Sequence, residues 1–424
     1  MIELNIKTQN LIKLMYNVFS CISEEKANSA IRTAYIWLAY ANAYNFNEED
    51  TKKGVFTALF HNIGEFIPLY PYKHTQTNDA ISSYLFLKHF SPVKIEDMAV
   101  IYQNATKNDL YINNKIYRAG ALIRIVKEID ERLNKNLEFN EIFKELRETN
   151  NFFESQIDKV EKLFQNLSPK DLEISECLKQ CEKYFSKLYL TYSQTFDFVN
   201  LMGLAFSSYN EETLTHSFAV ANISYQLAKR CNLNIQEQED LYIAGMMHDI
   251  GKLVIPKKVL NKPTKLTKEE FELVKTHTIN SLKIVKECLP PTITDPIFRH
   301  HEKLDGSGYP LGLTDKNLTI KDRILTIADI TSALNTKRSY KSIWEKQEII
   351  SELIDLIKEN KIDKNITTIL ISNYDEINEI TNVYGKKIED AIEESKREFL
   401  KIKKEKFNEM INNNEDCFNH TLNY

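Results

Sequence analysis

Two strings in this chain match at a fixed separation, and that repetition limits the fold more than any other feature. Asn45-Phe46-Asn47 precedes His61-Asn62-Ile63-Gly64-Glu65, and Asn232-Leu233-Asn234 precedes His248-Asp249-Ile250-Gly251-Lys252. The offset is the same for both pairs, 232 − 45 = 187 and 248 − 61 = 187. Pro68 and Pro256 follow, and His74-Thr75 and His277-Thr278 open similar amphipathic segments after loops of unequal length. Two long copies are a duplication, not a solenoid, whose units run to roughly 20–50 residues.

The chain should therefore fold as two related units in tandem. Gly and Pro number only 10 each in 424 residues, and few breakers among many Leu, Ile, Lys and Glu favour helix. The expected class is all-α. The boundaries read as 1–140 for the first unit, 141–195 for connecting helices, 196–372 for the second unit and 373–424 for a charged helix and tail. In that last segment Ile388, Ala391, Ile392, Phe399, Ile402 and Phe407 fall near helical spacing, which reads as a solvated or self-associating helix. From Asn412 onward a frayed tail is expected.

Bulk properties exclude several classes. Lys and Arg number 55 against 60 Asp and Glu, a net charge of −5, so neither DNA nor RNA is expected as partner. There is no run of eighteen apolar residues and no basic-then-apolar leader, which excludes a membrane span and points to the cytoplasm. Cys21, Cys177, Cys181, Cys231, Cys288 and Cys417 are scattered and read as reduced thiols.

The second copy carries the chemistry. Glu212, His216, His248, Asp249, His277, His300, His301 and Asp329 are all imidazole or carboxylate, the ligands of borderline transition metals. Glu212 and His216 stand four apart, on one face of a helix. His248-Asp249 lies just before a glycine, where a helix ends, and His300-His301 offers two imidazoles from a second helix end. Asp329 closes the apolar stretch from Ile324, so its helix is buried and presents one carboxylate inward. Five of the chain's nine His fall in this stretch, more than chance placement explains.

The string His248-Asp249-Ile250-Gly251-Lys252 is followed by Leu260-Asn261-Lys262-Pro263, Lys265-Leu266-Thr267, Glu270-Phe271, His277, His300-His301-Glu302 and Asp305-Gly306-Ser307-Gly308-Tyr309-Pro310. In order, spacing and wording it resembles the HD-GYP family, a branch of the HD metal-dependent phosphohydrolases, over about 190–370. The resemblance implies two tandem HD-type helical domains and two or three divalent metals, iron or manganese first. It implies hydrolysis of a cyclic dinucleotide, first of all cyclic di-GMP to pGpG or GMP, by metal-activated hydroxide. By position, the metal ligands it implies are His216, His248, Asp249, His277, His300, His301 and Asp329, with Glu212 matching an acid that holds a third metal in some members. Asp249 and Lys252 become the catalytic pair, Lys252 as a phosphate contact. Asp305, Gly308 and Tyr309 belong to a substrate-facing loop, and Arg338 and Lys341 match basic residues that contact the phosphates. Cations and lysines of this kind offset charge building on phosphoryl oxygens. Ser332, Ser339, Lys257 and Ser281 stand where the family commonly has Asp, Pro, Asp and Gly.

In the first copy the offset puts Ser29 at His216, Asn62 at Asp249 and Glu65 at Lys252. Gln103 and Asn104 lie where His301 would fall, Asp329 maps near Ile125, and only Glu25, His61 and His74 remain. An amide does not bridge two cations and a glutamate repels phosphate, so this copy reads as a degenerate HD domain, regulatory or structural. Three alternatives stand beside the leading function: a cyclic GMP-AMP phosphodiesterase, a slow nucleotide-sensing protein acting through partners, and a structural adaptor. Homodimerisation, and signalling partners held through 1–140, are the further partner expectations.

Overall fold

The computed structural model describes residues 6–66, 76–90, 115–149, 152, 154–188, 190–207, 212–335 and 345–420. Among the described residues the secondary structure is helical, and the one β-type pairing is an isolated bridge between Asp305 and Thr314. The first unit runs α1 (Thr8–Ile22), α2 (Glu24–Ala43), α3 (Glu48–Phe60), a helical turn (Ile63–Phe66), α4 (Gln76–Phe90) and α5 (Lys115–Leu133). Then come α6 (Phe139–Glu148), α7 (Glu154–Phe164) and α8 (Ile174–Phe185). The second unit runs α9 (Tyr192–Ser207), α10 (Glu212–Arg230), α11 (Ile235–Met247), a 3-10 turn (Ile250–Val254), α12 (Lys268–Lys275), α13 (His277–Val285), α14 (Pro291–Arg299) and α15 (Ile320–Asn335). The chain closes with α16 (Lys346–Lys358), α17 (Lys364–Ser372) and the long α18 (Tyr374–His420).

The duplication is visible in the hydrogen bonds. Asn45 and Asn232 adopt φ 53° and 57° after α2 and α10, the left-handed stop that Asn tolerates better than most residues. Phe46 N–H donates to Ala41 O at 2.9 Å, and Leu233 N–H to Ala228 O at 3.0 Å. Asn47 caps α3 and Asn234 caps α11, each side-chain oxygen accepting from the third residue on. Gly64 N–H donates to Ser83 Oγ, and Gly251 N–H to Ser281 Oγ, both at 2.8 Å.

Amphipathic faces explain the packing. α2 lies against α3 and α5, and α10 against α11 and α15, so each unit wraps its central helix. Edge-to-face ring pairs bind the layers, Phe56 to Phe185 at 5.1 Å and Phe60 to Phe198 at 5.7 Å. The second pair joins α3 to α9 and so crosses between the units. Such fully buried rings each contribute about 1.5–3 kcal/mol relative to exposure.

The helices of 141–195 do more than connect. α8 packs on α1 and α2, burying Cys177, Cys181 and Phe185, and the cysteines there are free thiols. α18 departs from the expectation of a solvated helix. It lies against α10 and also against α4 of the first unit, with Phe399 and Ser395 buried. Lys88 Nζ meets Glu398 at 2.6 Å and Lys403 Nζ meets Asn78 Oδ1 at 2.6 Å. Ile388, Ile392, Phe399 and Ile402 of its apolar stripe pack within the chain, the Phe407 side chain lies outside the described residues, and the helix continues past Asn412 to His420. Among the described residues no helix is long and apolar enough to cross a membrane.

Candidate metal centre

Three helix ends and two helix faces build the site. α11 stops at Met247, so His248 and Asp249 leave the helix in the turn that Gly251 makes possible. A Cβ at Gly251 would lie 2.0 Å from His277 O and 2.4 Å from Ser281 N, so only glycine lets this turn press against α13. His277 is the first residue of α13, and His300 follows the last residue of α14 with His301 beside it. His216 and Asp329 project from α10 and α15.

These side chains converge into two groups. His277, His300 and His301 form one, and His216, His248 and Asp249 the other, with ligand atoms inside 4.8 Å of one another in each. Both carboxylates lie between the groups. Asp249 Oδ1 is 3.3 Å from His277 Nε2, while its Oδ2 is 3.2 Å from His248 Nε2 and 3.8 Å from His216 Nε2. Asp329 Oδ1 is 3.1 Å from His216 Nε2 and its Oδ2 is 3.6 Å from His301 Nδ1. No comparable group occurs in the first unit among the described residues.

The ring nitrogens are oriented for a cation. His248, His277 and His300 donate Nδ1–H to the carbonyls of Gly245, Val274 and Ile297 at 2.7, 2.7 and 2.6 Å. Ser332 Oγ donates to His216 O at 3.4 Å and accepts from His216 Nδ1–H at 2.9 Å. Each Nε2 is thereby left as a bare acceptor. Yet His277 Nε2 and His300 Nε2 face each other at 3.3 Å, and His248 Nε2 and Asp249 Oδ1 are buried without a hydrogen bond. Opposed lone pairs in a dry pocket repel unless positive charge sits between them, so the donor set fits divalent transition metals.

Protonation states agree. Burial holds the imidazoles of His216 and His300 below their ordinary range, and takes His277 down to about 4 and His301 to about 3. Burial pushes the Asp249 carboxyl up, but Lys252 and His248 outweigh it and hold it well below the usual range. Burial opposes ionisation of Asp329 too, and His216 and His301 overcome it. His248 runs the other way: burial lowers its imidazole, but Asp249 and Asp329 outweigh it and raise it above the ordinary value. Neutral rings at His216, His277, His300 and His301 beside ionised carboxylates are the states that bind metal.

Lys252 Nζ lies 2.5 Å from Asp249 Oδ2, with 23% of its side chain exposed, so it joins the buried carboxylate to the surface. The loop after His301 folds back onto Glu302. Glu302, buried, accepts from Leu311 N–H at 2.6 Å and Leu313 N–H at 2.9 Å. Gly308 crosses so close that a Cβ would lie 2.4 Å from Glu302 Cα. The Tyr309 ring then stands 4.7 Å from His301. Asp305 is exposed and holds the loop instead, accepting from Ser307 N–H and Oγ–H at 3.0 and 2.7 Å. The side chain of Glu212, and all of Arg338, Lys341, His74, Gln103 and Asn104, lie outside the described residues.

Sequence reasoning left four contributors unassigned. Ser332 and Ser281 differ from the residues common in the family, yet one orients His216 and the other joins Gly251 N–H to His248 O. Glu302 was read only as part of a string, and its burial among backbone amides carried no sequence signal. Lys303 follows it, with its ammonium pKa lowered by burial.

Comparison with known proteins places these features. An HD domain family model matches residues 200–366. The chain is 32% identical over 174 residues to a 3′3′-cGAMP-specific phosphodiesterase of Vibrio cholerae, covering 41% of this chain and 40% of that protein. It is 34% identical over 148 residues to a cyclic di-GMP phosphodiesterase of Pseudomonas aeruginosa, covering 34% and 36%. A cyclic di-GMP phosphodiesterase of Thermotoga maritima matches at 31% over 182 residues, covering 42% and 48%. The chain thus spans less than half the length of these relatives. The fold is that of a crystal structure of a cyclic GMP-AMP specific phosphodiesterase from V. cholerae, at TM-score 0.55 and 15% identity, covering 87% of this chain and 98% of that one.

Proposed function

We propose, from the premise that residues 200–366 belong to the HD domain family in its HD-GYP form, that this chain hydrolyses the phosphodiester bonds of a cyclic dinucleotide. Cyclic di-GMP is the first substrate, yielding pGpG or GMP. The observation that carries the reading is the pair of opposed imidazoles at 3.3 Å with Asp249 between the two ligand groups.

His216, His248, Asp249, His277, His300, His301 and Asp329 would hold two divalent cations, iron or manganese first. Those cations supply an acidified water and neutralise charge on the phosphoryl oxygens. Asp249 and Asp329 bring two negative charges, fewer than two divalent cations would carry, so a dianionic substrate would meet a pocket it does not overload. Lys252 is the phosphate contact. Its ammonium leans on Asp249 and needs only a small swing to reach a phosphodiester beside it. Glu302 keeps the loop folded, and the Tyr309 ring shields the His301 side from water. Arg338, Lys341 and Glu212 remain assigned by the family resemblance alone, the first two to phosphate and the third to a further cation.

The first unit is proposed as regulatory or structural. Asn62 stands at the position of Asp249, and Glu65 is held by Lys127 at 2.9 Å and Lys26 at 3.3 Å. Two lysines thus supply positive charge from within the chain.

The test is turnover by the full chain loaded anaerobically with iron or manganese, offered cyclic di-GMP and 3′3′-cGAMP, with products separated by chromatography. Linear dinucleotide or GMP, lost on chelation, is expected. Exclusive cleavage of cGAMP favours the second reading that the V. cholerae relative suggests. A protein that binds two cations and cleaves neither overturns both.

A further inference from the structure

α12 buries none of its side chains, yet it carries an aromatic residue and an aliphatic one. Phe271 is 47% exposed and Leu273 40%. The position of Phe271 relative to the pocket gives the ring a use. Lys275 Nζ lies 5.0 Å from the Phe271 ring and 5.5 Å from the Tyr309 ring. The Tyr309 ring lies 4.7 Å from His301 and 6.5 Å from His277. A line of ring, cation and ring therefore runs from the imidazoles out to the exposed edge of α12. Among the described residues the Lys275 ammonium meets one carboxylate, Glu272 at 2.8 Å, whose side chain is 58% exposed. Ion pairs this exposed hold weakly, so the ammonium is available to another acceptor.

We propose that Phe271 and Lys275 form a base-binding wall beside the metal pocket. One purine of a cyclic dinucleotide stacks on Phe271, and Lys275 reads that purine's edge. The inference rests on the phosphodiesterase reading above. A substrate with two phosphodiesters and two bases seats a phosphate at the metals only if its bases lie at the rim. Aromatic side chains bind bases through their π-faces at about 1–3 kcal/mol per base. Lysine only donates, so it favours the two acceptors of guanine, O6 and N7, over the adenine edge, where an amino group replaces O6. Tyr309 stands between wall and metals and keeps the ammonium over a ring on both sides.

The experiment is steady-state kinetics of the metal-loaded full chain with cyclic di-GMP and cyclic di-AMP. Phe271→Ala should raise KM for cyclic di-GMP roughly tenfold and leave kcat within about twofold, the signature of lost uniform binding. Phe271→Trp should restore KM. Lys275→Met should lower the preference for cyclic di-GMP over cyclic di-AMP by roughly fivefold or more. Urea midpoints should stay unchanged, since α12 buries no side chain. Wild type active on cyclic di-GMP, with an unchanged KM in Phe271→Ala or an unchanged preference in Lys275→Met, overturns the wall alone. A fall in kcat without a change in KM also overturns it, because the residues would then act by placing His277. Wild type inactive on every cyclic dinucleotide overturns the phosphodiesterase reading, and the wall falls with it.

Discussion

Gly251 and Gly64 offer the same steric lesion in two places with different functional stakes. At Gly251 an added Cβ would stand 2.0 Å from His277 O and 2.4 Å from Ser281 N. Ordinary contact for such atoms begins at about 3.5 Å, so the turn and α13 must part by roughly 1 Å or more in Gly251→Ala. That breaks the Gly251 N–H to Ser281 Oγ bond and moves His277 away from Asp249 and His300. At Gly64 the Cβ would stand 2.3 Å from Asp79 O and 2.5 Å from Ser83 N. Both variants should lose about 1–3 kcal/mol of stability, the usual range for overpacking. Only Gly251→Ala should lose the chemistry. A displacement of about 1 Å in a reacting constellation costs on the order of 100-fold, and metal per chain should fall with it. Gly64→Ala should keep kcat/KM within a few-fold. The assays are urea unfolding, metal quantitation and kcat/KM on cyclic di-GMP, all at a temperature where circular dichroism shows both variants folded. Full metal and full activity in Gly251→Ala would refute the placement of the metal centre. Loss of metal from folded Gly64→Ala would refute the assignment of a silent first unit.

Three further outcomes follow from particular contacts. Asp249→Ala should lower turnover by about 100-fold or more and release metal, because both ligand groups share that carboxylate; retention of both would disprove its role. Ser332→Ala should weaken metal binding by roughly 10 to 100-fold by freeing the His216 ring, with Ser332→Asp restoring it in a metal titration. His61, fully buried, has its imidazole pKa lowered to about 4 by burial and then by Lys127. Between pH 6.5 and about 4 the unfolded chain binds a proton there that the folded chain refuses. Stability should therefore fall as pH drops, by about 1.4 kcal/mol per unit, and the loss is absent above the unfolded pKa. His61→Gln should flatten that slope in urea titrations of chelator-treated protein while leaving turnover of the metal-loaded form within a few-fold. An unchanged slope would show that His61 does not titrate as a buried neutral ring.

The features legible in sequence were those set by local rules. The repeat of Asn45 and Asn232 was plain, though not that both stop their helices in the left-handed region, and His248 and His300 fell at helix ends because a glycine and a histidine pair marked them. Helical periodicity exposed the apolar stripe of α18 but not its partner. A stripe says that a face is buried, and only the tertiary fold says against what. The roles of Ser332, Ser281 and Glu302 were equally hidden. Each depends on which backbone amide or carbonyl arrives opposite it, from 116 residues away for Ser332 and 30 for Ser281. Phe271 stood in plain view in a family string and Lys275 outside it, yet their relation to Tyr309 exists only once the loop has closed.

The contact of α18 with α4 bears on how the polypeptide acquires its shape. Lys88 meets Glu398 across 310 positions, and Asn78 meets Lys403 across 325. Few loops are longer to close, and contacts of such separation slow folding because their entropy cost precedes any gain. The first unit thus emerges from the ribosome long before the helix that covers one of its sides. During that interval the surface later sealed by Phe399 is open to solvent and to chaperones. A polypeptide severed near residue 140 would keep that surface open permanently, and its tendency to aggregate would report a missing neighbour rather than a faulty core.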